Sequence, residues 1–121
     1  MFDHIGLKVQ DLDASVAFYT AALAPLGIVL ASRDDNGAGF GPPNAPALWL
    51  YRVDNANGET HVAFRAPDRK AVDRFHAEGV KSGGRDNGKA GLRADYSAHY
   101  YAAFLIDPDG NNVEAVCFAE R

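Results

Sequence analysis

The sequence lacks several features that would assign it to a specialised class of protein. It has a single cysteine, Cys117, which excludes an intramolecular disulfide and any cysteine-based zinc site. No apolar run approaches the roughly 18–20 residues of a membrane span. The first residues show neither the basic nor the apolar region of a signal peptide. These absences lead us to expect a protein of the reducing cytoplasm.

An excess of basic residues is also absent. Twelve Lys and Arg against 16 Asp and Glu give a net charge of −4 and a pI near 5.4. This balance argues against a general nucleic-acid or anionic-membrane surface, so we expect neither nucleic acid nor membrane as a partner. The length of 121 residues and the apolar share of 47% predict one globular domain over residues 1–121.

What the sequence does contain is an internal repeat. Residues 4–18 align without a gap with residues 61–75. The alignment pairs His4 with His61, Lys8 with Arg65, Asp11 with Asp68, Phe18 with Phe75 and, further on, Gly27 with Gly84. This predicts two copies of a half-domain, module one at about 1–57 and module two at about 58–121, because a solenoid would need three or more short units.

Each copy opens with a strand and ends in short strands separated by turns. Apolar residues alternate with other residues over 5–9 and 62–66, which is typical of half-buried strands. Turn residues follow at 34–37 and 86–88, and Pro and Gly in the stretch 107–110 predict a hairpin. The later strands are predicted at Ala47–Val53, Tyr100–Ile106 and Val113–Phe118.

A helix follows the first strand of each copy. Asp11 (or Asp13) and Asp68 are suited to cap the two helices. Pro25, together with the glycine two residues later, is predicted to end the first helix. The second helix is predicted to stop near Gly79. Strand, helix and several strands, twice over, predict an α+β fold with a mainly antiparallel sheet.

Strand alternation gives a chemical reason to single out two histidines and one glutamate. If the apolar sides of the first strands lie under the helices, His4 and His61 point to the opposite face, beside the small residues Gly6 and Ala63. Glu114 lies within the apolar last strand, where a carboxylate is costly to bury unless it is paired. Two imidazoles and a carboxylate match the facial arrangement that holds Fe(II), Mn(II) or similar ions with open positions.

Plainer explanations exist for each of these residues and for their neighbours. A single strand histidine is usually structural or exposed, and the default interpretation of Glu114 alone is a surface charge on an edge strand. We expect His76 to be solvated, and His99 to be either a neighbour of the site or without a role. The segment from Gly83 to His99 is either a pocket rim that sets substrate choice or an ordinary surface loop. Of the pairs Trp49/Tyr51 and Leu48/Leu50, one should line the cavity and the other should pack under a helix.

Three stretches of the chain resemble the vicinal oxygen chelate superfamily, which includes glyoxalase I, fosfomycin- and bleomycin-resistance proteins and extradiol dioxygenases. They are residues 3–19, residues 60–64 and the segment Asp107-Pro-Asp-Gly-Asn-Asn-Val-Glu114. The resemblance implies an α+β fold of paired βαβββ modules that form an open, curved mixed sheet. It further implies a homodimer, module-swapped or not, and one divalent metal ion (Fe, Mn, Ni or Zn) held by His4, His61 and Glu114.

The resemblance leaves the reaction open. Glyoxalase I has a fourth ligand, a glutamate on the last strand of its first module, but here residues 47–53 carry no carboxylate. Extradiol dioxygenases use an acid–base histidine and a tyrosine, which suggests His99 and Tyr101 (or the adjacent Tyr100) as catalytic residues beside Glu114. We expect either a lyase, isomerase, thiol transferase or dioxygenase acting on vicinal oxygens, or a non-catalytic drug-binding protein. The intact ligand set favours the enzyme.

Overall fold

The computed structural model describes residues 1–120 and consists of two helices and two four-stranded mixed sheets that do not close into a barrel. The strands are β1 (Ile5–Val9), β2 (Val29–Arg33), β3 (Gly37–Gly41), β4 (Leu48–Arg52), β5 (His61–Arg65), β6 (Arg85–Leu92), β7 (Tyr101–Ile106) and β8 (Asn112–Cys117); the helices are α1 (Leu12–Leu23) and α2 (Arg69–Lys81). The strand orders are β1-β4-β3-β2 and β5-β8-β7-β6. The predicted α+β fold of paired modules is confirmed.

The internal repeat is visible in the strand pairing. In each sheet the first strand pairs in parallel with the last, and the remaining pairs are antiparallel. Gly6 lies opposite Trp49 in the first sheet, and Ala63 lies opposite Glu114 in the second. Because Gly6 and Ala63 correspond in the repeat, Trp49 occupies the position in module one that Glu114 occupies in module two.

Both helices begin at the aspartates that the sequence indicated. The Asp11 and Asp68 carboxylates accept the backbone N–H of the third residue beyond them, at 3.0 and 2.8 Å. A short 3₁₀ turn and Gly27, whose φ is 82°, end α1. The second helix continues to Lys81, two residues past the predicted stop. Gly79 is buried at the contact between the helices, so it provides close packing instead of ending the helix.

The stretch predicted as a turn at 86–88 lies inside strand β6. Gly88 adopts a φ of 149° and the pairing with β7 shifts on both sides of it, as in a β-bulge. The Asp86 carboxylate accepts the Gly88 N–H at 2.9 Å. This bond is the largest cause of the lowered pKa of Asp86, followed by the bond to His76. The residues make the local bond of a turn, but the strand continues through it, so the prediction was wrong.

The helix-covered faces of both sheets contribute to one hydrophobic core. Leu48 and Leu50 are buried in this core, while Trp49 and Tyr51 lie on the opposite side of β4. The two helices contact each other, with Gly79 packed among side chains that include Phe18. The second face of each sheet is therefore left outside the shared core, and we call it the open face.

A buried carboxylate joins the two modules. Asp107, in the β7–β8 turn, is 2% exposed and accepts four hydrogen bonds. The donors are the Tyr19 hydroxyl (2.5 Å), the Asn111 side chain (2.9 Å) and the backbone N–H groups of Asp109 (2.9 Å) and Asn111 (2.8 Å). Asp109 in turn accepts the Gln10 N–H at 2.9 Å. Burial, and then the Asp107 charge, raise the pKa of Tyr19 well above its usual value.

Within residues 1–120, neither helix has the length and apolar character needed to cross a membrane.

We expect the contact between Tyr19 and Asp107 to make the free energy of unfolding fall at alkaline pH. Because the folded-state pKa of Tyr19 lies above the unfolded value near 10, its contribution is complete below pH 10 and declines as the pH rises further. Each pH unit removes up to about 1.4 kcal/mol. Urea unfolding at pH 8 and pH 11 should show a larger loss for the wild type than for Tyr19→Phe. Tyr96→Phe, at an exposed position, is the control and should behave like the wild type. An equal loss in Tyr19→Phe would contradict this assignment.

Candidate metal site on the second sheet

The structure brings His61 and Glu114 together on the open face of the second sheet. His61 begins β5, and Glu114 lies on the neighbouring strand β8. The His61 Nε2 atom is 3.1 Å from Oε1 of Glu114. The Glu114 side chain is 3% exposed and that of His61 is 49% exposed. The pair therefore combines a buried carboxylate with an imidazole that a ligand can approach.

The other nitrogen of His61 determines how the ring meets Glu114. Nδ1 lies 3.0 Å from the backbone carbonyl oxygen of Asn112. A carbonyl oxygen only accepts hydrogen bonds, so the Nδ1 atom that faces it carries a proton. A neutral imidazole has one N–H group, so in the neutral ring the lone pair of Nε2 points at the carboxylate. Two acceptors facing each other attract a cation, and an Nδ1–H bonded to a carbonyl is the usual orientation of a metal-binding histidine. The donor set thus fits a divalent metal ion.

Tyr100 holds the second oxygen of Glu114. Its hydroxyl donates to Oε2, and its ring contacts Tyr96 and Phe118 edge-on, with centroids 5.0 and 5.4 Å away. Burial, and then the bond to Glu114, raise the pKa of Tyr100 to about 12. The hydroxyl therefore stays protonated at neutral pH and fixes the carboxylate.

Tyr101, predicted as a catalytic residue, lies on the opposite face of the same sheet. Its hydroxyl donates to Asp73 of α2 at 2.5 Å, and Arg69 stacks on its ring. The bond to Asp73 is the main cause that raises the pKa of Tyr101 to about 12. Adjacent strand residues point to opposite faces, so Tyr100, not Tyr101, reaches Glu114.

The two remaining histidines of module two contact other carboxylates. His99 is 50% exposed, and its Nε2 lies 3.9 Å from Glu120. His76 was predicted to be solvated, which is wrong: its side chain is 17% exposed, and Nε2 lies 2.9 Å from Asp86. Strand β6 supplies that partner, and a turn at residues 86–88 does not predict a carboxylate beside α2.

His4 is not part of the same cluster within one chain. It precedes β1, and its Nδ1 lies 2.7 Å from the Asp3 carboxylate. It borders an apolar cavity of about 220 Å³, whose walls include Phe2, Phe40 and Phe64. Across residues 1–120, no three His, Cys, Asp or Glu side chains are grouped closely enough to hold a metal ion. One chain therefore presents His61 with Glu114, and His4 separately.

The open face of the first sheet carries an aromatic side chain at the position where that of the second carries Glu114. A Cβ on Gly39 would come within 2.7 Å of the Trp49 ring, and one on Gly6 within 2.7 Å of the Tyr51 ring, so both rings lie close over glycine backbone. Trp49 fills the position equivalent to Glu114, and β4 therefore contributes no carboxylate of its own.

Comparison with protein families gives one match that spans nearly the whole chain. A family model described as the Glyoxalase/Bleomycin resistance protein/Dioxygenase superfamily matches residues 1–115. No curated protein sequence matches the chain.

Solved structures share the arrangement of both modules. A glyoxalase/bleomycin resistance protein from Albidiferax ferrireducens T118 superposes with a TM-score of 0.86 at 31% identity, covering 96% of this chain and 98% of that one. A lactoylglutathione lyase from Agrobacterium tumefaciens superposes with a TM-score of 0.67 at 23% identity, covering 96% and 92%. A glyoxalase/dioxygenase from Nostoc punctiforme gives 0.72 at 22% identity, covering 99% and 92%. The last two similarities show the fold alone.

We expect His61 and His76 to carry their neutral-ring protons on different nitrogens. His61 should be protonated at Nδ1, which faces a carbonyl, and His76 at Nε2, which faces the Asp86 carboxylate. Two-bond ¹H–¹⁵N correlation spectra of the metal-free protein, at a pH where both rings are neutral, distinguish the two forms. If His61 is protonated at Nε2, its lone pair is not directed at Glu114, and the orientation described above is wrong.

Proposed function

Because this chain belongs to the glyoxalase/bleomycin resistance protein/dioxygenase superfamily, we propose that it is a divalent-metal-dependent enzyme. Its substrate is a small molecule that binds the metal through two neighbouring oxygens. The observation that carries the proposal is the contact between His61 and Glu114, in which a buried carboxylate faces the Nε2 atom of an imidazole whose Nδ1 lies against a backbone carbonyl. A bound cation would offset the cost of burying that carboxylate.

We further propose that His4 of a second copy of the chain completes the site. His4 and His61 are equivalent in the repeat, yet one chain does not group them. The helix-covered faces of the two sheets share a core, which leaves both open faces available to another chain. A twofold dimer would place the first sheet of one chain against the second sheet of the other and form two equivalent sites.

The roles of the chain's own residues follow from their contacts. When bound, the metal supplies a Lewis acid that stabilises negative charge on the substrate oxygens. Glu114 and His61 hold it from neighbouring strands, and the Tyr100 hydroxyl keeps Glu114 in position. With Trp49 at the fourth position, the proposed site has three protein ligands and leaves positions for the substrate. Lyase, isomerase, transferase and dioxygenase chemistry all remain compatible with it.

One observation favours a second candidate, a binding protein without chemistry. Trp49 and Tyr51 present flat rings on the open face of the first sheet, with glycines beneath them. Such rings stack well on planar ligands. A binder of this kind would use the aromatic face and would not depend on His61 or Glu114.

Metal binding should stabilise the wild type and fail to stabilise two variants. A cation present at 100 times its dissociation constant adds about 2.7 kcal/mol if it binds only the folded state. We expect Mn(II), anaerobic Fe(II), Ni(II) or Zn(II) to raise the melting temperature of chelator-treated wild type, but not of His61→Ala or Glu114→Ala.

Two substitutions serve as controls for that experiment. His99→Ala and Glu59→Ala remove the same side-chain types from exposed positions outside the His61–Glu114 pair, and both should keep the full shift. If no cation shifts the wild type, the metalloenzyme proposal fails and the binding protein becomes the better account.

Mixing two variants that have each lost metal binding tests whether His4 comes from a second chain. His4→Ala and His61→Ala should each lose the metal-dependent shift. In a shared site, random pairing after refolding the two together gives about a quarter of sites with both histidines. We expect metal titration of the mixture to detect this fraction.

A site contained in one chain would give a different result. The refolded mixture would then bind no more metal than the separate variants, because no chain would carry both histidines. Mixing either variant with itself controls for the refolding step. Recovery in the mixture alone would support the two-chain site.

A further inference from the structure

A polar cavity lies beside the His61–Glu114 pair and has no part in the site as described so far. It measures about 320 Å³ and is lined by Asn87, Gly88, Arg93, Tyr96, Phe104 and Asn112. Phe104 lies opposite Glu114 in the β7–β8 pairing, and its ring stacks near the His61 ring with centroids 6.5 Å apart. The cavity therefore adjoins the His61–Glu114 pair, with Phe104 between them.

Arg93 is held in a fixed position at the edge of the cavity. Its Nη1 donates to the Gly91 carbonyl at 2.9 Å and its Nη2 to the Lys89 carbonyl at 2.7 Å. Its guanidinium carbon lies 5.5 Å from the centre of the Phe104 ring. A guanidinium has five N–H donors, so these two bonds orient the group while leaving donors for a ligand.

The charge of Arg93 has no counter-ion in the described part of the chain. Its side chain is half-buried, and no carboxylate among residues 1–120 lies within 4.0 Å of its guanidinium nitrogens, whereas Arg33 pairs with Asp13. The cavity walls contain amides and a phenol but no acid. The Asn87 side chain, which lies 3.4 Å from that of Asn112, adds a second donor. Such a group attracts an anion.

We propose that Arg93 binds an oxyanion group of the substrate, a carboxylate or a phosphate. The oxyanion's place in the substrate rests on the proposed function, whereas anion binding by Arg93 does not depend on it. The substrate is then a small acidic molecule that offers two neighbouring oxygens at one end and an anionic group at the other. Arg93 determines specificity by selecting that group.

Anion titrations of the full chain in EDTA test this without the metal. Acetate and inorganic phosphate are the probes, measured by calorimetry at constant ionic strength. We expect the wild type to bind at least one of them saturably and Arg93→Gln to bind it at least about tenfold more weakly, since hydrogen bonds to charged groups are strong. The probe that binds more tightly identifies the group as carboxylate or phosphate.

The matched control is Arg85→Gln. It removes the same charge from an exposed position at the far end of β6, the strand that Arg93 directly follows, and it should leave binding unchanged. Asn87→Asp keeps side-chain size but places a negative charge in the cavity, so it should abolish binding even if Arg93→Gln folds poorly. Melting temperatures check that each variant is folded.

Two results would overturn the assignment: no saturable binding of either anion by the wild type, or wild-type affinity in folded Arg93→Gln or Asn87→Asp. Failure of the proposed function would give a different result from either of these. Cations would then not stabilise the protein, while Arg93-dependent anion binding in EDTA would persist.

Discussion

The fold depends on one buried charge, the Asp107 carboxylate in the turn between β7 and β8. A buried carboxylate is costly unless its lone pairs are satisfied, and here four donors satisfy it. Three of them come from its own turn, and the fourth is the Tyr19 hydroxyl of α1 in the other module. The turn that positions the last strand is therefore anchored to module one as well as to its own hairpin.

This anchoring extends to the base of the candidate site. Asn111 donates to Asp107 through its amide nitrogen, and its amide oxygen accepts the Thr60 N–H at 3.2 Å. Thr60 directly precedes His61, and its carbonyl accepts the Asn112 N–H at 2.9 Å. The Asn112 carbonyl in turn orients the His61 ring. Hydrogen bonds therefore connect the junction between the modules to the imidazole.

The placement of the shared core explains why one chain displays its candidate ligands separately. Each sheet buries the side that carries its helix, and these sides meet in a single core. His61 and Glu114 face outward on one sheet, and Trp49 and Tyr51 do so on the other. A cavity enclosed on both sides would need a second chain, which is the physical basis for proposing a shared site.

Much of the fold could be predicted from the sequence because its signals are local. Alternation predicted the first strand of each module, and Asp11 and Asp68 marked the helix starts. The β7–β8 hairpin was evident from its Pro and Gly. Strand β6 was missed because the bulge at Gly88 uses the same residues as a turn, and only its pairing with β7 distinguishes the two.

The candidate site was only partly predictable, because side-chain direction depends on strand register. Two adjacent tyrosines at 100 and 101 give no local sign of which one faces Glu114, and pairing with β8 decides it. Arg93 lies in the segment from Gly83 to His99, and nothing in the sequence distinguishes it from the other residues there. Its carbonyl partners and the Phe104 ring belong to bulged strands, whose geometry the sequence did not reveal.

The hydrogen bond from Tyr19 to Asp107 also limits how this duplicated sequence can evolve. Two halves produced by duplication are ordinarily free to diverge, as Trp49 and Glu114 have done at equivalent positions. Tyr19 and Asp107, however, lie in different halves, and each is the buried partner of the other. A change in one leaves the other poorly satisfied in the interior. Evolution at this pair should therefore proceed by coupled substitutions, and the two halves are inherited as one unit despite their separate sheets.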